Sequence, residues 1–242
     1  MFKKYILNNK IIGSWITIPS EIIVEIIVNS NYDFHVIDLE HSNINIYQFE
    51  NLIRIIQTNN KPAFVRVTNN DEFQIKRVLD SGADGLILPN ITDRIKLDKI
   101  LNFIYYPPKG NRGVGLSRAS MYGDNFQTYY KNFNKKISII IIIENISAVE
   151  NLDEILNNNN IDAVMIGPYD LSASMGIPGD FNNSKFKSLL KYIRHKTNKY
   201  NKKIGFHLVE PKISKLRKLK KEFDFIFYSI DTQLIKKSIN EL

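Results

Sequence analysis

The stretch Phe34-His35-Val36-Ile37-Asp38-Leu39-Glu40-His41 has the pattern of a buried parallel strand that ends at a chemical site. It is apolar as far as Ile37 and then places two carboxylates and an imidazole within four residues. Burying Asp38, Glu40 and His41 without partners would cost free energy. We therefore expect the end of this strand to open on a polar pocket that other segments complete.

Apolar runs of strand length recur along the chain and alternate with helical patterns. The predicted strands cover residues 13–18, 34–41, 63–67, 85–89, 137–143, 161–166, 203–208 and 223–228. Helices are predicted after Ser20, over 46–57, 72–81, 93–103 and 148–156, before 200, and around and after the last strand, whereas 104–136 is interpreted as a loop. This alternation predicts one α/β domain over residues 1–242, a TIM (β/α)₈ barrel. The competing doubly wound sheet usually has fewer strands.

Composition limits the chemistry. The chain of 242 residues has no cysteine, which excludes disulfides, thiolate metal sites and cysteine nucleophiles, so a metal must use oxygen or imidazole ligands. The formal net charge is +8, but the basic residues over 212–221 alternate with Ile213, Leu216 and Leu219, as in an amphipathic helix with a solvated cationic face. We find no nucleic-acid-reading motif and expect no nucleic-acid partner.

Membrane association is not expected either. Residues 1–10 contain no apolar segment of signal-peptide length. The longest apolar run, 137–143, is far shorter than the roughly 20 residues needed to span a bilayer. The sequence therefore predicts a cytoplasmic protein.

Polar residues stand where a barrel places its chemistry, at the carboxyl ends of the strands. Arg66 lies on the third predicted strand, and Glu144 and Asp170 follow the fifth and sixth. Each carboxylate alone would be explained as a helix N-terminal or loop residue. Together, carboxylates on consecutive strands suit a hard divalent ion such as Mg²⁺ or Mn²⁺ that keeps room for a chelating substrate.

Ordered motifs over about residues 13–235 resemble the HpcH/HpaI family of metal-dependent 2-oxo-acid aldolases. The most specific motif is Ile166-Gly167-Pro168-Tyr169-Asp170-Leu171-Ser172. The others are Gly13-Ser14-Trp15, Ile37-Asp38-Leu39-Glu40-His41, Val65-Arg66-Val67, Asn70-Asp71, Gln74-Ile75-Lys76, Leu79-Asp80-Ser81-Gly82-Ala83, the loop from Tyr106 to Gly115, Ile143-Glu144 and Asn151-Leu152.

The resemblance implies a reaction. A barrel of the phosphoenolpyruvate/pyruvate type would reversibly cleave a 4-hydroxy-2-oxo acid, such as a 2-keto-3-deoxy acid, to pyruvate and an aldehyde through a pyruvate enolate. The cofactor would be Mg²⁺ or Mn²⁺, with Co²⁺ or Zn²⁺ as alternatives. A citrate-lyase or malyl-CoA type of carbon–carbon lyase is the alternative activity, and a catalytically inactive binding barrel is a further reading.

The resemblance also implies residue roles. Glu144 and Asp170 would bind the metal, Arg66 would stabilise the enolate oxygen, and His41, oriented by Asp80, would move the proton of the aldol hydroxyl. The expected substrate contacts are Arg66, Gly167, Pro168, Tyr169, Trp15 and His207. Asp38 and Glu40 would not touch the substrate; Asp38 would support His41 or metal-bound waters.

The resemblance also concerns the assembly of the protein and two residues that differ from the family pattern. The family habit implies a homo-oligomer, dimer-based and up to a hexamer, with a C-terminal helix exchanged between subunits. Ile142 stands where family members often have glutamine, and His207 replaces a usually apolar residue. We expect His207 either to hydrogen-bond a hydroxylated or acidic aldehyde or to be satisfied locally. The glycine-rich loop 110–115 is not a P-loop, and we expect it beside the site, with Arg112 and Arg118 near the substrate or a neighbouring subunit.

Overall fold

Eight parallel strands close into a barrel in sequence order, which confirms the predicted TIM architecture. The computed structural model describes residues 10–241; residues 1–9, most of the segment predicted to lack a signal peptide, and residue 242 lie outside this range. The strands are β1 (Ile11–Ile16), β2 (Phe34–Asp38), β3 (Ala63–Arg66), β4 (Gly85–Leu88), β5 (Ser138–Ile143), β6 (Ala163–Ile166), β7 (Lys203–Leu208) and β8 (Phe225–Ile230). That residues 1–242 form a single domain stays a prediction.

Helices cover the outside of the barrel. They are α1 (Glu21–Val28), α2 (Ile46–Thr58), α3 (Glu72–Asp80), α4 (Arg94–Ile104), α5 (Phe126–Lys136), α6 (Ile146–Glu150), α7 (Leu152–Leu156), α8 (Pro168–Ser174), α9 (Ser184–Lys199), α10 (Ile213–Glu222) and α11 (Asp231–Asn240). A 3₁₀ segment, Arg118–Gly123, precedes α5. Within the described part of the chain, no helix is long and apolar enough to cross a membrane.

The core has two layers because successive residues of a strand point to opposite faces. Inside the barrel, Phe34, Phe64, Phe225 and Phe227 form a cluster of aromatic rings in edge-to-face contact. A second and larger cluster lies between the strands and the helices. The inward rings are accommodated by glycines on neighbouring strands, and the ring of Phe225 occupies the space beside Gly205.

Two element boundaries differ from the prediction for identifiable reasons. Strand β1 ends at Ile16 rather than at residue 18, because the N–H groups of Thr17 and Ile18 donate to the Asp231 carboxylate at 2.7 and 2.8 Å. The helix predicted over 148–156 is divided at Asn151, whose side chain donates to the carbonyl of Thr92 at 3.0 Å.

The segment interpreted as a loop contains helix α5, which the sequence analysis missed. The glycine-rich loop also does not lie beside the candidate site of its own chain. Arg118 donates to the carbonyl of Ser81 at 2.6 Å and to Gln57 at the end of α2 at 2.8 Å. Helices run opposite to the strands, so the C-terminal ends of α2 and α3 lie at the amino end of the barrel, away from that site.

Helix α11 packs against β8 and β1 of its own chain. Its first residue, Asp231, is 1% exposed and accepts a hydrogen bond from the Thr17 hydroxyl. The exchange of a C-terminal helix between subunits is not shown by these contacts and stays a prediction, as does the homo-oligomer.

The glycine positions inside the barrel give a stability prediction. A Cβ on Gly205 would lie 2.2 Å from the Phe225 ring, so Gly205→Ala forces a shift in a close-packed core. We expect a loss of about 1–3 kcal/mol of unfolding free energy, measured by urea denaturation. In the matched control, Gly113→Ala, the added Cβ meets only the flexible Lys76 side chain, at 3.1 Å. Equal effects of the two variants would contradict this account of the core.

Candidate active site

A cavity of about 320 Å³ opens at the carboxyl ends of the strands, where the sequence predicted the chemistry. Residues from β2, β3, β5, β6 and β7 and from the loops that follow them line it. They include Asp38, His41, Arg66, Ile142, Met165, Gly167, Pro168, Tyr169, Asp170 and His207. Most of the side chains proposed from the sequence are thereby brought to one place.

Arg66 and Asp38 form a buried ion pair on neighbouring strands. They are register partners in the β2–β3 pairing, so the barrel itself sets them side by side. Arg66 Nε donates to Asp38 Oδ1 at 2.8 Å, and Nη2 donates to Oδ2 at 2.5 Å. Such two-bond pairs between guanidinium and carboxylate are strong and fixed in orientation. The guanidinium therefore cannot turn freely toward other partners.

Two further contacts hold the guanidinium group of Arg66. Its carbon lies 4.6 Å from the centroid of the Trp15 ring, and Nη1 lies 3.3 Å from Glu40 Oε2. Asp38 Oδ1 also accepts the N–H groups of Glu40 and His41, at 3.0 and 3.3 Å. Asp38 thus supports His41 through the backbone of this turn.

Glu144 is a buried carboxylate with one oxygen engaged. Its Oε1 accepts a hydrogen bond from the N–H of Asn90 at 2.5 Å, and Glu144 as a whole is 8% exposed. Burial, together with the charges of Glu40 and Asp170, raises the pKa of Glu144 to about 7, against the opposing effects of the Asn90 N–H and of Arg66. Its Oε2 faces Gly167, where a Cβ would lie 3.2 Å from the Glu144 Cβ.

Asn90 is a site residue that the sequence analysis missed. It follows Pro89 and has a φ of 56°, in the left-handed region, which is uncommon for a residue with a side chain. This conformation directs its N–H at the Glu144 carboxylate. Its place just after β4 was an available signal, but a Pro-Asn pair is also typical of an ordinary turn.

Asp170 lies in the first turn of α8 and is exposed to the cavity. Its charge raises the pKa of both Glu40 and Glu144, although burial is the largest cause for each. Around Arg66 there are therefore four carboxylates, Asp38, Glu40, Glu144 and Asp170, and Asp38 holds one edge of the guanidinium. The remaining negative charge is what a divalent cation would neutralise.

The donor set fits a hard cation with few protein ligands. Among residues 10–241, no group of three or more His, Cys, Asp or Glu side chains is placed to hold a metal ion. Two carboxylates with water and substrate oxygens are nevertheless the usual environment of Mg²⁺. Glu144 and Asp170 therefore fit the metal-binding role expected of them, which stays a prediction.

The structure does not bring His41 and Asp80 together within the chain. His41 lies at the rim of the cavity with its side chain 65% exposed, and its Nε2 is 3.8 Å from Glu40 Oε2. Asp80 is the last residue of α3 and lies at the amino end of the barrel. There its Oδ1 accepts a hydrogen bond from Nη2 of the buried Arg112 at 2.5 Å. The expectation that Asp80 orients His41 is therefore not met inside one chain, and Glu40 is the carboxylate near His41.

His207 and Ile142 both line the cavity and point into the barrel. The His207 ring lies 5.1 Å from the Trp15 ring, centroid to centroid. Trp15 itself is 1% exposed and stands beneath Arg66 rather than at the cavity surface. Trp15 contacts the Arg66 guanidinium here, and its expected contact with substrate stays a prediction.

Comparisons with known proteins find relatives over nearly the whole chain. The family model described as HpcH/HpaI aldolase/citrate lyase matches residues 12–233. A 2-keto-3-deoxy-L-rhamnonate aldolase of Klebsiella pneumoniae is 31% identical, over 99% of this chain and 90% of that protein.

Solved structures show the same architecture. The citrate synthase SbnG aligns with a TM-score of 0.86 and 27% identity, over 99% of this chain and 94% of the other. A HpcH/HpaI aldolase/citrate lyase family protein from Burkholderia cenocepacia aligns with a TM-score of 0.93 and 23% identity, over 99% and 96% of the two chains.

The fold and the site define a barrel enzyme that acts at carbon–carbon bonds. The chain belongs to the HpcH/HpaI aldolase/citrate lyase family, as the resemblance of the motifs predicted. It is a lyase of the aldehyde-lyase class. Aldolases of this family generally depend on a divalent metal.

The raised pKa of Glu144 predicts a pH dependence of stability in metal-free protein. Because its pKa is about 7 in the folded chain against 4.5 ordinarily, folding favours the protonated form, and this stabilisation is lost as the pH rises from 4.5 through 7. Relative to Glu144→Gln, we expect the unfolding free energy of the wild type to fall by roughly 1–3 kcal/mol over this range.

Chemical denaturation in the presence of a chelator measures this difference at each pH. The exposed Glu150→Gln variant is the matched control and should keep the wild-type profile. If the unfolding free energies of the wild type and Glu144→Gln changed in parallel with pH, burial would not raise the pKa of Glu144.

Proposed function

We propose that the chain reversibly cleaves a 4-hydroxy-2-oxo acid of the 2-keto-3-deoxy type to pyruvate and an aldehyde, with the help of a divalent metal. The observation that carries this proposal is the fixed Arg66 guanidinium, which lines the cavity together with Asp170 and acts electrostatically on the nearby buried Glu144. The related 2-keto-3-deoxy-L-rhamnonate aldolase supports the sugar-acid class of substrate.

Glu144 and Asp170 would hold the metal, with Mg²⁺ or Mn²⁺ as the preferred ions and Co²⁺ or Zn²⁺ as alternatives. When bound, the metal supplies Lewis-acid polarisation of the 2-oxo group. Binding requires the ionised form of Glu144, so the proton that burial favours on this carboxylate must leave first.

Arg66 would stabilise the negative charge that develops on the oxo oxygen. Asp38 fixes its direction before substrate arrives, so little reorganisation is needed at the moment of reaction. Preorganised donors of this kind are often the largest contribution to catalysis. Two of its nitrogens are held by Asp38, and Nη1 is the one nearest Glu40.

The carboxylate of the oxo acid would bind against Gly167, Pro168 and Tyr169. These residues begin α8, and no side chain caps this helix start. The first N–H groups of a helix have no intrahelical acceptors and attract anions. The N–H groups of Tyr169 and Asp170 are therefore the expected donors to the carboxylate.

His41 would move the proton of the aldol hydroxyl. It stands at the cavity rim, exposed enough to exchange protons with water, and the turn that carries it is fixed by Asp38. The nearby carboxylate is Glu40, whose pKa is raised by burial. Asp80 of the same chain does not take part in this arrangement.

A second candidate function is a carbon–carbon bond-forming or bond-cleaving reaction of the citrate type. The observation that favours it is the 27% identity and TM-score of 0.86 to the citrate synthase SbnG. It differs from the first proposal in requiring an acetyl thioester, and retention on immobilised coenzyme A would distinguish the two. The cytoplasmic location and the homo-oligomer stay predictions.

Activity of the purified protein tests the main proposal. Loaded with Mn²⁺, the wild type should release pyruvate from at least one of a panel of 4-hydroxy-2-oxo acids, measured with lactate dehydrogenase. Glu144→Gln should abolish the metal-dependent release, whereas Glu150→Gln, on the exposed face of α6, should keep it. Equal activity of the Glu144→Gln and Glu150→Gln variants would remove Glu144 from the site, and no release from any acid would count against the function.

Loss of the fixed guanidinium gives a second kinetic prediction. Arg66→Ala should lower kcat by about 10²-fold or more, the usual effect of removing one donor to a developing oxyanion. Arg217→Ala, on the exposed face of α10, is the control and should leave kcat unchanged. If Arg66→Ala raised KM alone, Arg66 would serve in binding rather than in stabilising the developing charge.

A further inference from the structure

The floor of the cavity contains a polar group that the proposed mechanism does not use. His207 lies among the inward-facing residues of the barrel, near the apolar Ile142 and Met165 that line the same cavity. Its Nε2 is buried, and no hydrogen-bond partner for it exists among residues 10–241. Buried polar atoms are nearly always hydrogen-bonded, so this exception needs an explanation.

The ring of His207 is neutral at physiological pH. Burial, reinforced by the positive charge of Arg66, lowers the pKa of His207 to about 3. A neutral imidazole has one N–H and one acceptor nitrogen, so it cannot attract an anion as a histidine cation would.

The backbone of β8 favours an N–H of this ring directed at Ser229. The Ser229 carbonyl acts on His207 as a hydrogen-bond acceptor, opposing the lowered pKa. Ser229 is fully buried and has a φ of 62°, and the pairing of β1 with β8 shifts register near it. A left-handed residue at a strand irregularity is a strained feature of the kind that accumulates at functional sites.

If the single N–H of the ring is turned toward Ser229, the other nitrogen remains as an acceptor for a group in the cavity. The position is close to the proposed 2-oxo-acid subsite, because Trp15 contacts both the His207 ring, at 5.1 Å, and the Arg66 guanidinium, at 4.6 Å. A carboxylate has no proton to donate at neutral pH, so it cannot form this hydrogen bond with an acceptor nitrogen.

We propose that His207 selects substrates that carry an uncharged hydroxyl group, which donates a hydrogen bond to its imidazole, over substrates with a hydrogen or a carboxylate at that place. This inference rests on the proposed aldolase function and adds a specificity-determining residue to it. The hydroxyl has two sources, the carbon next to the oxo group of the donor or the chain of the aldehyde.

Condensation kinetics with the Mn²⁺-loaded enzyme separate the two sources. One arm compares pyruvate with hydroxypyruvate at a fixed aldehyde, and the other compares propanal, lactaldehyde and an aldehyde acid with pyruvate. On one arm, we expect the wild type to favour the hydroxylated compound by about tenfold in kcat/KM, the effect of one neutral hydrogen bond. The carboxylate-bearing aldehyde should show no such preference.

Variants assign the preference to the ring. His207→Leu should abolish the preference for the hydroxylated compound, and His207→Gln, which keeps a neutral acceptor, should restore part of it. His195→Leu, on the exposed side of α9, is the matched control and should keep the full preference. An unchanged preference in His207→Leu, or none in the wild type, overturns the proposal.

Two results keep this test separate from that of the proposed function. If the wild type condenses pyruvate with propanal but His207 carries no preference, only the present inference fails; if no pair reacts, the aldolase function fails as well. Nitrogen-15 NMR of the wild type, without substrate, should show one unprotonated ring nitrogen of His207 at pH 6. A fully protonated ring at that pH would contradict the proposal without any variant.

Discussion

The candidate active site depends on one buried ion pair, the two-bond contact between Arg66 and Asp38. Burying two charges is costly, and a pair of apolar residues would often be at least as stable. Because the strand register places the two partners side by side, we interpret the pair as one that positions the guanidinium. The pair fixes the guanidinium above Trp15 and, through the N–H groups that Asp38 accepts, fixes the turn with Glu40 and His41.

The closed barrel then creates an excess of negative charge around that pair. Glu144 follows β5, Asp170 follows β6, and Glu40 follows β2, so closure of the ring brings three carboxylates to a region with one guanidinium. Burial raises the pKa values of Glu40 and Glu144, and the repulsion between neighbouring carboxylates adds to this effect. A divalent cation is the simplest group that relieves it, and the same cation would polarise a 2-oxo acid.

Much of this arrangement could be predicted from the sequence. The barrel followed from apolar runs such as Ile137 to Ile143, and Arg66, Glu144 and Asp170 were identified because polar residues at strand ends are unusual. Helix α5 was missed because its Asn- and Lys-rich sequence has no side-chain cap and buries little beyond Phe133. Asp80 lies away from His41 of the same chain, because helices run opposite to the strands and α3 therefore ends at the amino end of the barrel; its expected role toward His41 stays a prediction.

Other features depend on backbone geometry that residue patterns do not show. The left-handed Asn90 aims an N–H at Glu144, and the left-handed Ser229 aims a carbonyl toward His207. Neither conformation follows from residue type, since both residues also occur in ordinary turns.

The most direct test of the central claim is the binding of Mn²⁺ to the protein without substrate, followed by electron paramagnetic resonance. The account predicts one ion per chain for the wild type, weak or absent binding for Asp170→Asn, and unchanged binding for Asp153→Asn on the distant helix α7. Equal binding by the wild type and Asp170→Asn would contradict it, because the excess negative charge at the barrel mouth would then not be what holds the cation.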